Sequence, residues 1–319
     1  MEFQQLDVAP GAGAQISRRD SHSFVDHELA LEGWDQTYRQ LSAGRFSGRV
    51  ETLGLGAMTL QREQVGCCVE NQFSPPGDSV VIGFNLPGSV IYDAQLGPVA
   101  DWQPLVVTSA REHRIFARGC FDVLMVSFPQ EALPEGLHRP ARLAADPQGN
   151  TAKWLLALMG SVKSGHASDS LLQMAPDLAA DALSAWGDPA AAPGLSERRS
   201  MAAFDDILGA MGEVEPEAMT ATRLSQKLGR PRAELRSACK TVTGLDLSQF
   251  LLARRLSDVH RALLRGQGAG VKVSDVAMDH GFLHWGRFAQ AYRAMFAERP
   301  SETLQRRGPA VRGALPHFA

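Results

Sequence analysis

At 319 residues the chain is too long for one typical small domain and long enough for two, each with its own buried core. The formal net charge of -3 hides an uneven distribution: from Ala221 to Arg307, 16 Lys plus Arg stand against 7 Asp plus Glu, a net of +9 that leaves -12 for the remainder. A basic C-terminal third on an acidic body points to a polyanion-binding domain joined to something else. The four cysteines, Cys67, Cys68, Cys120 and Cys239, form no C-x-x-C pair and no zinc spacing, and neither a secretory segment nor an apolar run of membrane length is present, so the expectation is a soluble, cytoplasmic protein without a membrane partner.

Residues 1 to about 32 are mixed polar sequence with Gly, Ala and Ser, and irregular structure is expected at the start. From Trp34 to Pro129 the segments are short, rich in Val, Ile, Phe and Thr, and punctuated by turn signals such as "SPPGDS" and "LPGS". "RVETLGLGAMTLQREQVGCCVE", "SVVIGFNLPGSVIYD", "QPLVVTSA" and "CFDVLMVSF" read as strands of an antiparallel sheet or small barrel, with Cys67 and Cys68 adjacent in one strand and facing opposite ways. After Pro147, "NTAKWLLALMGSVKSG", "SDSLLQMAPDLAADALSAWG" and "LSERRSMAAFDDILGAMG" read as helices, with Ser or Asn where N-caps belong. The "GDPAAAPG" run marks a linker. The expected division is 1–186, a β-rich domain with flanking helices; 187–198, linker; 199–307, an all-α domain; and 308–319, a tail.

The C-terminal third contains a weak internal repeat. Leu224, Leu228 and Gly229 precede a helix carrying Leu235, Ala238, Cys239 and Val242 that ends at Gly244. Val276, Ala277 and Gly281 precede one carrying Phe288, Ala291, Tyr292 and Met295 before Ala297. Each unit is a short helix, a glycine turn and a second amphipathic helix, the helix-turn-helix plan whose second helix enters the major groove. In "LSQFLLARRLSDVHRALLRG" Phe250, Leu251, Arg254, Leu256, Val259 and Leu263 suit a long connecting helix whose apolar positions can pack against both units. On the last helix Phe288, Tyr292 and Phe296 form an apolar stripe with Met295 beside it.

These residues carry a family resemblance. "LSQKLGRPRAELRSACKTVTG", "RRLSDVHRALL" and "VSDVAMDHGFLHWGRFAQAYRAMFAERPSETL" resemble the double helix-turn-helix domain of the AraC/XylS family of bacterial transcription regulators. The shared pattern is V-A-x-x-x-G-F followed by R-F-x-x-x-Y-R-x-x-F and P-S. Three positions depart from it: Ser225 where Ala is usual, Cys239 where an aromatic is usual, and Ala297 where Gly is usual. The first two suggest a less tightly packed first unit; the third is costly if its turn needs a positive φ.

The resemblance implies an α+β protein: a cupin-like sensor domain followed by two helix-turn-helix units joined by a long helix. It further implies a DNA-binding activator, not an enzyme, that dimerises through the front part, with the helices between 150 and 186 as candidates. Expected partners are double-stranded promoter DNA, a small-molecule effector, RNA polymerase and a second copy of the chain, with no cofactor. In the first recognition helix Arg232, Arg236 and Lys240 lie at i, i+4 and i+8 with Ala233 and Ser237 alongside. Arg236 is placed on guanine O6 and N7, and Lys240 on a phosphate. The second helix offers Trp285, Gly286, Ala289 and Gln290 to the groove, flanked by Arg287 and Arg293, with Gln290 suited to adenine and Trp285 to thymine methyls.

His22, His27, His113 and His138 show no H-x-H and no carboxylate at ligand spacing, so a metal centre is not expected. Trp34, Phe46, Tyr92 and Trp102 could line an apolar pocket, with Arg45 or Arg49 meeting a carboxylate, but ordinary core or surface is the simpler reading of each. Two other readings stand beside the regulator: a constitutive DNA-binding protein whose front domain only dimerises, and a cupin-like enzyme with a basic tail.

Overall fold

The computed structural model describes residues 2–5, 14–144, 148–186, 190–213, 220–268 and 270–306. Its strands are Glu2–Gln5 (β1), Gln15–Ser21 (β2), Asp35–Gln40 (β3), Gly48–Leu55 (β4), Met58–Val65 (β5), Val69–Ser74 (β6), Ser79–Asn85 (β7), Ile91–Asp93 (β8), Gly97–Val99 (β9), Pro104–Thr108 (β10), His113–Ala117 (β11), Phe121–Pro129 (β12) and Ala141–Arg142 (β13). Its helices are Phe24–His27 (α1), Asn150–Lys163 (α2), Asp169–Ser184 (α3), Leu195–Met211 (α4), Ala221–Leu228 (α5), Arg232–Thr243 (α6), Leu247–Arg265 (α7), Val273–Asp279 (α8), Trp285–Phe296 (α9) and Pro300–Gln305 (α10). The strands make two antiparallel sheets, one in the order β1-β2-β4-β5-β12-β7-β10-β13 and one in the order β3-β6-β11-β8-β9. A β-rich N-terminal region and a helical C-terminal domain are the expected architecture.

Side-chain alternation gives the larger sheet two apolar faces. Leu124, Val126 and Phe128 of β12 and Val80, Ile82 and Phe84 of β7 pack beneath α2 and α3, against Leu155, Leu158, Met159, Leu172, Ala175 and Leu183. Met125 of β12 and Val81 of β7 belong instead to the core shared with the smaller sheet, and that core continues through Phe116, Phe204 and Phe250 into the helical domain. Ring centroids of Phe116 and Phe204 lie 5.2 Å apart, edge to face, and those of Phe204 and Phe250 5.4 Å apart, tilted, so strand β11 and helices α4 and α7 meet through aromatic contacts.

Three local expectations change. The start of the chain is not irregular where it is described: β2 pairs with β4 from Gln15↔Gly54 to Ser21↔Gly48, and Ser23 caps α1 by accepting from Val25 N. The charged "SRRD" masks a strand that tertiary pairing specifies. Cys67 and Cys68 lie between β5 and β6, not within a strand; Cys67 is buried in the core, which pushes its thiol up to about 12, while Cys68 Sγ accepts from Gly119 N at 2.9 Å. Finally, residues 187–189 of the expected linker lie outside the described residues, as does the tail 308–319, and Leu195 to Arg198 already form the first turn of α4.

In the helical domain α5–α6 and α8–α9 are the two helix-turn-helix units. Gly229 at φ +61° and Gly281 at φ +75° take the left-handed backbone that the turns require. The path from turn glycine to first core residue is one residue longer in the second unit, Gly281 to Phe288 against Gly229 to Leu235. The looser packing expected of the first unit is not seen at its core positions, since Leu235, Ala238, Cys239 and Val242 are all buried. Ser225 spans the turn by donating to Arg230 O at 2.7 Å. Helix α6 ends on Gly244 at φ +78°, but α9 ends on Ala297 at φ +54°, a region that strains a residue with a Cβ. Ala297→Gly should therefore raise stability by about 0.5–1 kcal/mol, the relief of strain exceeding the added freedom of the unfolded chain. Urea denaturation should show a higher midpoint at unchanged slope.

The second unit is built on His260 of α7. Its ring lies 4.4 Å from Phe296 and 5.8 Å from Tyr292, and its Nδ1 is 2.7 Å from the Tyr292 hydroxyl. Tyr292 donates to Thr303 Oγ1, so the network assigns the Nδ1 proton to His260. Burial, aided by Arg306 and Arg261, pulls His260 down to about 3; burial and Arg111 pull His113 to about 4. The unfolded chain binds these protons near pH 6.5, so the stability each contributes is complete above that pH and declines below it. Between pH 7.5 and 5.5 each should cost about 1–1.5 kcal/mol of unfolding free energy. Denaturation across that window should be visibly flatter for His260→Phe than for the parent chain.

Candidate nucleic-acid interface

The outward face of each recognition helix follows from which residues its inward face consumes. In α6 Leu235, Ala238, Cys239 and Val242 are buried, which leaves Arg232, Ala233, Arg236, Ser237 and Lys240 exposed. In α9 Phe288, Tyr292, Met295 and Phe296 are buried; Trp285, Gly286, Arg287, Gln290 and Arg293 are exposed, and Ala289 is half-buried. All ten residues expected at the interface thus lie on the two solvent faces. Trp285 is 53% exposed although its ring touches Phe288 at 5.6 Å, so it does not serve as a buried cap.

The helices of the domain differ in how their N-termini are capped. Helices α5 and α7 are capped, by Thr220 accepting from Arg223 N and by Asp246 in a capping box with Gln249. Helices α6, α8 and α9 begin at Pro231, Lys272 and His284 with no side-chain cap, which leaves first-turn N–H groups for an outside acceptor such as phosphate. Arg236 is not idle: its Nε and NH2 donate to Asp246 at 3.0 and 2.8 Å, and that bond holds the Asp246 carboxyl below its usual range. The pair is exposed and worth little, so a stronger acceptor can take Arg236 while Asp246 keeps its cap on α7. Arg232 donates to Thr222 Oγ1 at 3.3 Å. Beside α9, Met278 and Leu283 are exposed, Leu283 at 72%, and extend the apolar surface of Trp285.

Sequence reasoning missed the residues that hold these helices from behind. The last-turn carbonyl of Val242 in α6 accepts from Arg118 Nε at 3.3 Å, and that of Met295 in α9 accepts from Gly44 N at 2.9 Å and Gln40 Nε2 at 3.3 Å. Both recognition helices are thus gripped at their C-terminal ends by the β-rich region. The connector α7 is tied to the same sheet: Arg261 donates to Glu28 and to Tyr38 O, each at 2.6 Å, Arg39 donates to Asp258 at 2.8 Å, and Ser257 donates to Gln40 O at 2.9 Å. No periodicity announces such contacts, because the partners are more than 120 positions apart.

Between the two sheets lies a cavity of about 60 Å³ lined by Trp34, Phe73, Leu105, Ile115 and Met125 with Gln36, Asn71 and Asn85. The Oε1 of Gln36 and the Oδ1 atoms of Asn71 and Asn85 are buried with no hydrogen-bond partner among the described residues. At one end His27 Nε2 lies 2.9 Å from Glu63 Oε1, which also accepts from Tyr38. Of the aromatics considered from sequence only Trp34 lines the cavity. Phe46 and Tyr92 are core, Trp102 packs against Gly149 and Lys153, and Arg49 pairs with Asp20.

A family model described as a helix-turn-helix domain matches residues 224–306. The XylDLEGF operon transcriptional activator of Pseudomonas putida is 41% identical over 63 residues, 19% of this chain and 19% of that one, so the match spans about a fifth of the relative's length. Among solved structures, a probable AraC family transcriptional regulator from Rhodopseudomonas palustris is 30% identical, covering 34% of this chain and 99% of that one at a TM-score of 0.30. The AraC-like transcriptional activator CuxR is 14% identical, covering 82% of this chain and 99% of that one at a TM-score of 0.42.

If the aromatic residues of α9 hold it down and the polar ones use its free side, Phe288→Ala should cost about 3–5 kcal/mol of stability. Gln290→Ala and Arg293→Ala should leave stability nearly unchanged and weaken DNA binding, Arg293→Ala also lowering the salt slope by about one. Denaturation of the full chain beside a salt-dependent binding series separates the roles, and a Gln290→Ala protein that unfolds would turn the helix over.

Proposed function

We propose that this chain, an AraC/XylS family member by its C-terminal domain, is a sequence-specific DNA-binding transcription regulator, an activator, whose β-rich region responds to a small molecule. The observation that carries the reading is the pair of helices α6 and α9, each with its polar side exposed and its C-terminal end held by the β-rich region. In this reading α6 reads through Arg236 and Ser237 with Arg232 and Lys240 on or near phosphates, while α9 reads through Gln290, with Trp285 and Leu283 against thymine methyls and Arg287 and Arg293 on the backbone.

The cavity between the sheets is the effector site in this proposal. Its three unpartnered carbonyl oxygens would accept hydrogen bonds from a ligand whose body lies on Trp34, Phe73 and Met125. Strand β3 links it to the DNA readers, since Gln36 lines the cavity and Gln40 bonds the end of α9. Met174 and Leu178, exposed at i and i+4 on α3, support the proposed dimer contact there. The partners proposed are promoter DNA, the effector, a second copy and RNA polymerase, in the cytoplasm.

Arg236→Ala should cost about 1–3 kcal/mol at the true operator and relax preference at one base pair, whereas Lys240→Ala should weaken all sequences alike. Two readers on one connector should occupy half-sites about one helical turn apart, about 34 Å. Titrations on single-base variants and on an operator with five inserted base pairs test both expectations. Uniform weakening by Arg236→Ala would reassign it to phosphate, and tolerance of the insertion would mean that one unit alone reads DNA.

A further inference from the structure

The cavity between the sheets has a one-sided chemistry. Three buried carbonyl oxygens on its wall, Gln36 Oε1, Asn71 Oδ1 and Asn85 Oδ1, have no hydrogen-bond partner among the described residues. In each case the amide nitrogen is already engaged. Gln36 Nε2 donates to Glu28 O at 3.1 Å and His27 O at 3.5 Å, and Asn85 Nδ2 donates to Val99 O at 3.0 Å and Ser89 O at 3.2 Å. Backbone carbonyls only accept, so neither amide can be reversed. Tyr38 donates its proton to Glu63, and the oxygen it keeps is bonded by the Asn71 side chain, which uses the Asn71 nitrogen as well.

Gln36 and Asn71 belong to β3 and β6 of the smaller sheet and Asn85 to β7 of the larger, so the oxygens stand on both walls. No Lys, Arg or His lines the space. Its remaining polar groups are the carboxyl of Glu63, already bonded by Tyr38 and 2.9 Å from His27, and the indole of half-buried Trp34. The opposite face of the smaller sheet differs. There a cleft of about 330 Å³ under α7 carries Arg39, Arg114 and Arg254, but Asp258 and Glu70 meet those guanidinium groups.

We infer that the cavity between the sheets takes a small primary amine, bound as its ammonium ion; this rests on the reading of that cavity as the effector site and names the class of effector. An ammonium group brings three donors and no acceptor, so its N–H groups answer the carbonyl oxygens and leave nothing of its own unmet. An alcohol or an amide brings an oxygen for which the wall has no free amide N–H, and a carboxylate finds no cation. Glu63 keeps its bonds to Tyr38 and His27, while the carbonyl dipoles and the faces of Trp34 and Phe73, with ring centroids 5.7 Å apart, solvate the charge. A space of about 60 Å³ takes on the order of five water molecules, so the carbon body is short.

The test uses the full-length protein without DNA, at neutral pH and constant ionic strength. Thermal unfolding is followed with n-butylamine, benzylamine, benzyl alcohol or benzoate, and titration calorimetry counts sites. The expected result is a rise in Tm of about 3 °C or more at about 10 mM of at least one amine, with one site per chain and no rise with the alcohol or the acid. Gly83→Val, whose new Cβ would meet nothing closer than Leu105 O and Met125 Cγ at 3.9 Å, fills the space and should abolish the response. Gln36→Met removes one oxygen at similar shape and should weaken amine binding about tenfold or more, and Asn71→Leu does the same if the first variant unfolds. A response to benzyl alcohol or benzoate that Gly83→Val removes would keep the effector cavity and overturn the amine. An amine response that Gly83→Val retains lies elsewhere and overturns both. No response to either amine, or an affinity unchanged in both oxygen-deleting variants, overturns the amine class alone.

Discussion

Helix α7 is the element on which the rest of the structure depends. Its Phe250, Leu256, Val259, His260 and Leu263 are core to the helical domain, and it touches both units, the first of which also packs on α4. The same helix turns Arg254, Asp258 and Arg261 toward the β-rich region, where they meet Glu70, Arg39 and Glu28. An apolar seam would tolerate sliding. Charges taken from water are compensated only in the geometry where each meets its partner, so the ion pairs fix one register of α7 on the sheet. They are better understood as a specifier of position than as a source of net stability.

That register carries through to the recognition helices. Arg118 and Gly44, on the β-rich region, each reach the last-turn carbonyl of one recognition helix, so α6 and α9 are located by α7 beneath and by the sheet behind. The contacts are few, polar and partly exposed, the class that opens at low free energy. The aromatic contacts of Phe24 with His260 and Phe296, and of Phe116 with Phe204 and Phe250, supply the apolar remainder. A change of a few kilocalories per mole in the sheet can therefore redistribute how the two readers are held, which is the range a small-molecule ligand supplies.

Much of the helical domain was legible because its signals are local. The spacing of Phe288, Tyr292 and Phe296 and the turn glycines each depend on neighbours within a few residues, and so do the ten outward positions. Ala297 was legible as a strain and is one, at φ +54°. The β-rich region was legible in kind but not in detail. Strand β2 reads as polar because its apolar contribution is small and its specification comes from β4, more than two dozen positions away. The cavity between the sheets escaped altogether: Gln36, Asn71 and Asn85 look like surface amides until the sheets fold over them. Likewise Arg254 was read only as part of the connecting helix, and only the fold sets it against Glu70 and Arg39.

Period-two alternation joins the two cavities. In the pairing of β3 with β6, Gln36 lies opposite Phe73 and Tyr38 opposite Asn71, while Arg39 lies opposite Glu70. In the pairing of β11 with β6, Ile115 lies opposite Asn71 and Arg114 opposite Gln72. Odd and even positions of three adjacent strands thus line different sites: Gln36, Asn71, Phe73 and Ile115 the space between the sheets, Arg39 and Arg114 the cleft under α7. Each site holds buried polar atoms without hydrogen-bond partners among the described residues, as do Tyr92, Asp93, Thr108, Arg111 and His113 outside both sites. Because the two sets alternate along the same strands, a shift of the strands on one face moves the side chains of the other. The sheet is thin enough for the two faces to respond as one.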